Sequence, residues 1–305
     1  MNKLIFTFLF IFLVFFIQKS SVSQFDKPVV QLSFGMSNPY DELRGDSYVS
    51  FDTLGFIFID SSLFANHLGG QIGIQLAGAV KINFDKYSIS RGVFSLAFNN
   101  FNTFQSRQSG TTLVKFINNT FQQRPVEYNY DFNSFTMGFG LEIAPTSFTN
   151  IVSPFFNSNL TLNFLSAELT RVTSFNDSNK VSLSSFRMGL NFNAGIEVKV
   201  SSNVGFVAGI KYDLANLIYK ETLRDGFIEW GSSSGNINDA QGRYISNIYY
   251  PIGEAYNYFE SKEKEINWGT AYIGININLF SDSPKKKTKK TSGGIRSINF
   301  YNNEF

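Results

Sequence analysis

The residues able to carry charge or acid–base chemistry are few and oddly placed. Only 16% of the 305 residues are charged, and there is one histidine and no cysteine. Eight charges, Lys81, Arg91, Glu142, Arg187, Glu197, Lys199, Lys211 and Asp213, sit singly, all but Arg91 between large apolar neighbours. Charges held that way either pair with one another or mark a path for protons or small ions. A three-residue turn at Asp85–Tyr87 would set Lys81 directly across from Arg91, an unfavourable like-charge pair unless anions intervene. Glu142 is then the natural partner of Arg91, and Lys81, Arg91, Glu142, Glu197 and Lys199 are expected to gather at one end of a lumen. Nucleophilic chemistry has less support. His67 follows Asp60, Ser61 and Ser62 in FIDSSLFANH, but a triad needs an imidazole held between hydroxyl and carboxylate, and no matched motif frames these four. His67 reads as an ordinary loop residue, and the chain as no enzyme, with no cofactor and no metal. The lack of cysteine excludes disulfides, thiolate metal sites, thiol nucleophiles and a lipidated N-terminal cysteine.

What must position those charges is a set of strands. In Arg187–Leu214, RMGLNFNAGIEVKVSSNVGFVAGIKYDL, the residues Met188, Leu190, Phe192, Ala194, Ile196, Val198 and Val200 take every even position. Beyond Ser201-Ser202-Asn203, the residues Val204, Phe206, Ala208, Ile210, Tyr212 and Leu214 do the same. A period of two means strand, with one apolar and one polar face. The pattern recurs at Val30–Met36, Gln71–Phe84, Ser88–Phe101, Phe135–Ile143, Phe155–Leu169 and Trp268–Phe280. Phase breaks near Leu165, which predicts a bulge there or emergence from a bilayer. Residues 103–131 and 173–183 read as polar loops, 220–265 as a long acidic one, and Gly55–Ile59 as a possible extra hairpin.

The two faces decide the medium. The apolar face is large and uncharged on every strand, whereas the other mixes Gly, Ala, Ser and Asn with single charges, a set suited to a narrow, filled lumen. A lipocalin-like soluble barrel would put its charges outside. The chain carries 35 Phe and 14 Tyr, as lipid-facing strands with aromatic girdles do. Connections run long, short, long, short, moderate, short, long, the sorting of extracellular loops from periplasmic turns. Met1-Asn2-Lys3, the 14-residue apolar core Leu4–Ile17 and Ser21-Val22-Ser23 form a secretory signal with its cleavage site. Fourteen residues are short for a span of about 30 Å. The expected organisation is a signal peptide (1–23), a barrel (24–280) and a basic flexible tail (281–305). The fold class is all-β, an eight-stranded transmembrane antiparallel up-and-down barrel with long extracellular loops and short periplasmic turns. Its expected location is the outer membrane of a Gram-negative-type bacterium.

The glycine-rich strand pair, the Ser-Asn-Pro turn after the first strand and the final YIGININLF resemble the eight-stranded outer-membrane barrel domains of the OmpX, OmpA and PorT-like kind. The resemblance covers about residues 28–280. It implies that Tyr272, Gly274, Ile277, Leu279 and Phe280 form the signal read by the barrel-assembly machinery, and that lipids and lipopolysaccharide surround the belt. Such barrels usually stop at the terminal aromatic; this chain runs on for 25 residues. Lys285, Lys286, Lys287, Lys289 and Lys290 in that tail could meet anionic head groups or a periplasmic partner, while export removes nucleic acid as a partner. Residues 24–280 carry 18 basic and 22 acidic groups, so no polyelectrolyte role follows. The expected function is structural or surface-interacting, through aromatic-rich loops. The alternative is a component of an envelope secretion or transport assembly, or a narrow ion channel.

Overall fold

Eight long antiparallel strands hydrogen-bond into a ring, and the ring closes on itself. In chain order they are β1 (Val29–Tyr40), β2 (Gln71–Asn83), β3 (Ser90–Asn102), β4 (Phe121–Ile143), β5 (Val152–Thr173), β6 (Asp177–Lys199), β7 (Val204–Ile218) and β8 (Asn267–Asn278). The computed structural model describes residues 28–279 except 46–48, 52–56, 60–62, 85–88, 104–107, 116–120, 146–150, 174–176, 202, 223–225, 229–231 and 247–256. The signal segment 1–23, Phe280 and the five tail lysines lie outside the described residues. Each strand pairs with its sequence neighbour, and β8 joins β7 to β1. Following directly opposed residues once around the ring from Val30 leads through Val80, Phe94, Phe139, Leu160, Leu190, Leu214 and Asn267 back to β1 at Tyr40, ten residues on. That stagger tilts the strands by about 35–45°.

The lower part of the barrel wears its apolar side chains outside. Leu32, Phe34 and Met36 on β1 are 51, 48 and 60% exposed, and Ile210 on β7 is 68% exposed. Their alternates Gln31, Gln75, Arg91, Thr136, Asn159 and Asn191 are buried. Water would not tolerate a continuous apolar belt of this size; hydrocarbon does. The belt ends upward at an aromatic row in register across four strands, Phe98–Phe135–Phe164–Phe186. Ring centroids are 6.3 Å apart for Phe135–Phe164, 5.2 Å for Phe164–Phe186 and 6.0 Å for Phe186–Tyr219. Aromatic rings favour the boundary between hydrocarbon and water.

Above that row the same strands continue with their polarity reversed. β4, β5 and β6 have 23, 22 and 23 residues, roughly twice the 9–11 that cross a bilayer. In the extension Tyr128, Tyr130, Phe132, Leu165, Ala167, Leu169, Val181 and Leu183 point inward and are buried. Asn129, Asp131, Ser166 and Ser184 point outward and are exposed. The inner residues join Leu43, Leu63, Phe64 and Leu68 from the first connection, and Ile237, Ile266 and Trp268, in one hydrophobic core. This is a soluble plan, apolar inside and polar outside, mounted on a membrane plan. The phase break at Leu165 is therefore emergence, not a bulge: pairing runs unbroken through Ser134↔Leu165↔Ser185.

Several sequence expectations are corrected. Residues 121–131 and 177–183 are strand rather than loop, and Gln108–Lys115 forms a further strand paired with β4. Residues 121–131 and 177–183 look irregular because their alternation is in opposite phase to the belt. The first connection carries a small hairpin, Val49–Phe51 with Ile57–Ile59. In the last connection Gly226–Ile228, Gly242–Ser246 and Asn257–Ser261 make a small sheet, and Ser232–Asn236 runs parallel to β6. The turn between β6 and β7 keeps the expected pairing, with Val200 N–H donating to Val204 O at 3.1 Å. Between β2 and β3 the register differs by two: Lys81 opposes Val93, and Asn83 opposes Arg91. A shift of two preserves the faces but parts the two cations.

Candidate functional site

Polar side chains occupy most of the lumen. Near the lower end, Lys81 from β2, Arg91 from β3, Glu142 from β4 and Glu197 from β6 close a ring of alternating charge. Lys81 Nζ lies 2.9 Å from Glu142 Oε2 and 2.8 Å from Glu197 Oε1; Arg91 Nη1 lies 2.9 Å from Glu142 Oε1 and 2.8 Å from Glu197 Oε2. Two cations and two anions balance. Alternation along each strand aims all four inward, and the ring stagger brings β6 opposite β2 and β3 across the bore. The Phe155 ring packs 4.7 Å beneath the Lys81 ammonium, and Asn276 Nδ2 donates to Glu197 at 2.9 Å. Buried charges are tolerated where each is paired and hydrogen-bonded; every charge of this ring is paired, and only Glu142 Oε2 has no hydrogen bond beyond its ion pair with Lys81.

Above it the bore holds amides and hydroxyls. Tyr272 OH donates to Asn193 Oδ1 at 2.8 Å. Asn159 Nδ2 donates to Asn191 Oδ1 at 3.1 Å, Asn191 Nδ2 to Asp213 Oδ1 at 2.7 Å, and Lys211 Nζ lies 3.2 Å from Asp213 Oδ2. On the opposite wall Ser37 and Gln75 both donate to Asn99 Oδ1, at 3.0 and 2.6 Å. A cavity of about 50 Å3 remains between these groups, lined by Gln31, Asn157, Asn159 and Tyr272 among others, room for one or two waters at roughly 30 Å3 each.

The mouth is sealed by the connection between β7 and β8. Arg187 on β6, fully buried, donates from Nε to Asp239 Oδ2 at 2.6 Å and from Nη2 to Asp239 Oδ1 at 2.9 Å. Its Nη2 also reaches Ile237 O at 2.9 Å. Asn216 Nδ2 and the Glu221 N–H donate to the same carboxylate at 3.1 and 2.8 Å. Such two-pronged guanidinium–carboxylate contacts are the strong, directional kind. Lys264, fully buried beside this latch, donates to Asn238 O at 2.8 Å and Lys262 O at 3.2 Å. Burial pulls its ammonium down to about 8, against the opposing pull of Asp239 and Glu42. Outside the latch Lys220 bridges Glu263 and Glu265 at 2.8 and 2.7 Å; burial opposes its charge, but the two carboxylates outweigh that and raise its pKa. Trp268 lies fully buried, edge-on to Phe101 with centroids 5.5 Å apart.

The eight charges singled out in the sequence thus fall into different places. Lys81, Arg91, Glu142 and Glu197 form the ring, and Lys211 and Asp213 pair higher up. Lys199 is not in the ring: it ends β6 at the barrel's lower rim, opposite Gly205 of β7, and is exposed there. Arg187 belongs to the mouth, and its partner Asp239 lies on a connection where no periodicity could have announced it. Lys264 was missed for the same reason; Trp268 reads as the start of the last strand, but not as part of the upper core, whereas the reversed phase in β4–β6 did carry a signal for Tyr130, Phe132 and Leu183. Tyr272, Gly274, Ile277 and Leu279 lie on or just beyond β8; Tyr272 faces the bore and Leu279 is 53% exposed. His67 Nδ1 accepts the Gly69 N–H at 3.1 Å in a turn of the first connection. Among the described residues no three His, Asp or Glu converge as a metal site.

No known family's sequence profile matches the chain, and no curated protein matches it. Solved structures similar to it include Neisserial surface protein A, at 11% identity and a TM-score of 0.39, covering 83% of this chain and 97% of that one. Ail, the attachment invasion locus protein of Yersinia pestis, gives 12%, 0.38, 83% and 99%, and the outer membrane protein OprG from Pseudomonas aeruginosa gives 11%, 0.36, 83% and 96%. At such values the likeness adds nothing to what the pairing of the strands shows. By its closed eight-strand ring, lipid-facing belt and polar bore, the chain has the outer-membrane β-barrel fold.

Proposed function

We propose that the chain is an integral outer-membrane protein whose barrel is an anchor and whose raised upper part is a surface-interaction module. The observation that carries this is the core above the aromatic row. β4–β6 extend well past the membrane and build a hydrophobic interior there, capped by a buried Arg187–Asp239 latch. A chain needing only to close its barrel has no use for a second folded layer. Rigid scaffolds that present connecting segments are the usual arrangement for recognition. The bore, filled by the charge ring and by amides, argues against conduction as the task, and no reaction is assigned.

Two measurements test it together. In planar bilayers the purified chain should give no single-channel steps; well-defined steps would return the narrow-channel alternative. Cells displaying the chain should adhere to one another or to immobilised matrix glycans more than cells displaying the Arg187→Ala, Asp239→Ala double variant. Equal adherence, with equal surface display, removes the interaction reading.

A further inference from the structure

The mouth of the barrel encloses one more positive charge than it can pair. Arg187 and Lys264 are both fully buried there, against the one fully buried carboxylate of Asp239 among the mouth's described residues. Both Asp239 oxygens are taken, by two hydrogen bonds from Arg187 and one each from Asn216 and the Glu221 N–H. Lys264 Nζ has only two acceptors, the backbone carbonyls of Asn238 at 2.8 Å and Lys262 at 3.2 Å. No carboxylate among the described residues forms an ion pair with it. The charged groups that act on it are Asp239, Glu42 after β1 and, repelling it, Lys262. Glu221, on the exposed side, lies 3.7 Å from Arg187 Nη1. An ammonium has three hydrogens to donate, whereas a neutral amine has two. The site matches the amine.

The two acceptors lie on different stretches of the last connection, residues 237–239 and 262–266, so Lys264 ties these arms together. Ile237 and Ile266 from the same arms are buried in the upper core. The Arg187–Asp239 latch grips the first arm. Asn216 on β7 grips the second, donating to Lys264 O at 2.8 Å and accepting the Ile266 N–H at 2.9 Å. One clasp thus joins firm contacts to a lysine that works against them when charged, because a buried charge without a countercharge is costly.

We propose that Lys264 is a proton-operated release for this clasp, closing it as the neutral amine and loosening it as the ammonium. What the clasp regulates rests on the surface-interaction reading above; how it works rests on the mouth's own geometry. Burial lowers the amine's pKa to about 8 from 10.5, and the more distant carboxylates do not overcome it. Opening returns the group to water and so takes up a proton between those two values. Closure therefore strengthens as pH rises through that window and is weakest below it. The full change in the opening equilibrium is about 300-fold.

The test uses the full chain in detergent micelles with one reporter, Ala215→Cys, since the chain has no cysteine of its own. Ala215 is 1% exposed in the upper core, so a thiol there reacts with iodoacetamide only when the clasp opens. Rates are divided by those of the urea-unfolded chain at the same pH, which removes the titration of the thiol itself. The corrected rate should fall at least about tenfold between about pH 7.5 and 10. Lys264→Met should label slowly even at the lower pH and lose the pH dependence. A flat profile with Lys264 in place overturns the release, whether or not Lys264→Met folds. An unchanged slope in Lys264→Met would assign it to another group and also overturns it. Ala97→Cys, in the bore below the aromatic row, should stay unlabelled over the same period. Labelling there at the same rate would mean that the whole barrel unfolds, and the clasp falls with it. Adhesion is not measured, so the surface-interaction reading can fail while the release stands, and the reverse.

Discussion

Above and below the row Phe98–Phe135–Phe164–Phe186 the same strands follow opposite plans. Below it, β5 turns Leu160 and Phe164 outward and Asn159, Thr161 and Asn163 inward; above it, the strand turns Leu165, Ala167 and Leu169 inward and Ser166 outward. No bulge accomplishes the exchange, because residue alternation is never interrupted. Only the assignment of polar and apolar residues to the two faces changes. The lesson is that the solvent dictates the plan: hydrocarbon offers no competition for polar groups and no penalty for apolar ones, whereas water does the reverse. The two interiors then need different cement. Below the row, cohesion comes from paired charges and amide ladders; above it, from packed aromatics and aliphatics.

The comparison can be broken most forcefully at the charge ring. Glu142→Leu leaves Lys81 and Arg91 sharing one carboxylate in the bore, and should cost about 3–5 kcal/mol of barrel stability, read as a lower urea midpoint for loss of the compact band on an unheated gel. Lys81→Met added to it restores the charge balance and should recover most of that loss; no recovery would mean that the ring acts by shape rather than charge. Next in size is a pair of truncations on one strand. Leu165→Ala removes a side chain from the upper core and should cost about 2–5 kcal/mol. Leu160→Ala, facing lipid, should cost less than about 1 kcal/mol, since lipid fills the space left. Similar losses at both positions, measured by urea unfolding in vesicles, would defeat the two-plan description.

A smaller effect concerns pH. The Lys264 ammonium is held near 8 in the folded mouth against 10.5 when free. The unfolded chain therefore binds more protons between about 8 and 10.5, and stability of the mouth should rise as pH rises through that window, by about 3 kcal/mol. Lys220, whose pKa is raised, contributes the opposite sign only at the top of the window and beyond. Trp268 fluorescence in urea, in a Trp230→Phe background, should show the rise, and Lys264→Met should flatten it. Smallest of all, Glu168→Leu on the outer face of the raised sheet should change stability by under about 0.5 kcal/mol, while adding apolar surface where water is the solvent. A large stabilisation there would place that face in lipid and move the boundary upward.

Much of this was readable from residue order, and what was not has definite causes. The inward set on every lower strand follows from a period of two, which survives even the mistaken Lys81–Arg91 opposition because a slip of two keeps each face. The length of the connection after Asn83 fixes that register, and nothing in DKYSIS declares it. The upper extensions were hidden by their reversed phase: Asn129, Asp131 and Asn133 look like loop composition until Tyr128, Tyr130 and Phe132 are counted between them.

By itself, then, the sequence determined which side chains share a face on each strand, that the faces suit lipid outside and a filled bore inside, and how many strands take part, because alternation is a property of local backbone geometry. Only the tertiary structure decided which charges meet. Lys81 reaches Glu197 across 116 positions of sequence and Arg187 finds Asp239 across 52, and such partners are set by ring stagger and by how the last connection folds back, neither of which a local pattern encodes.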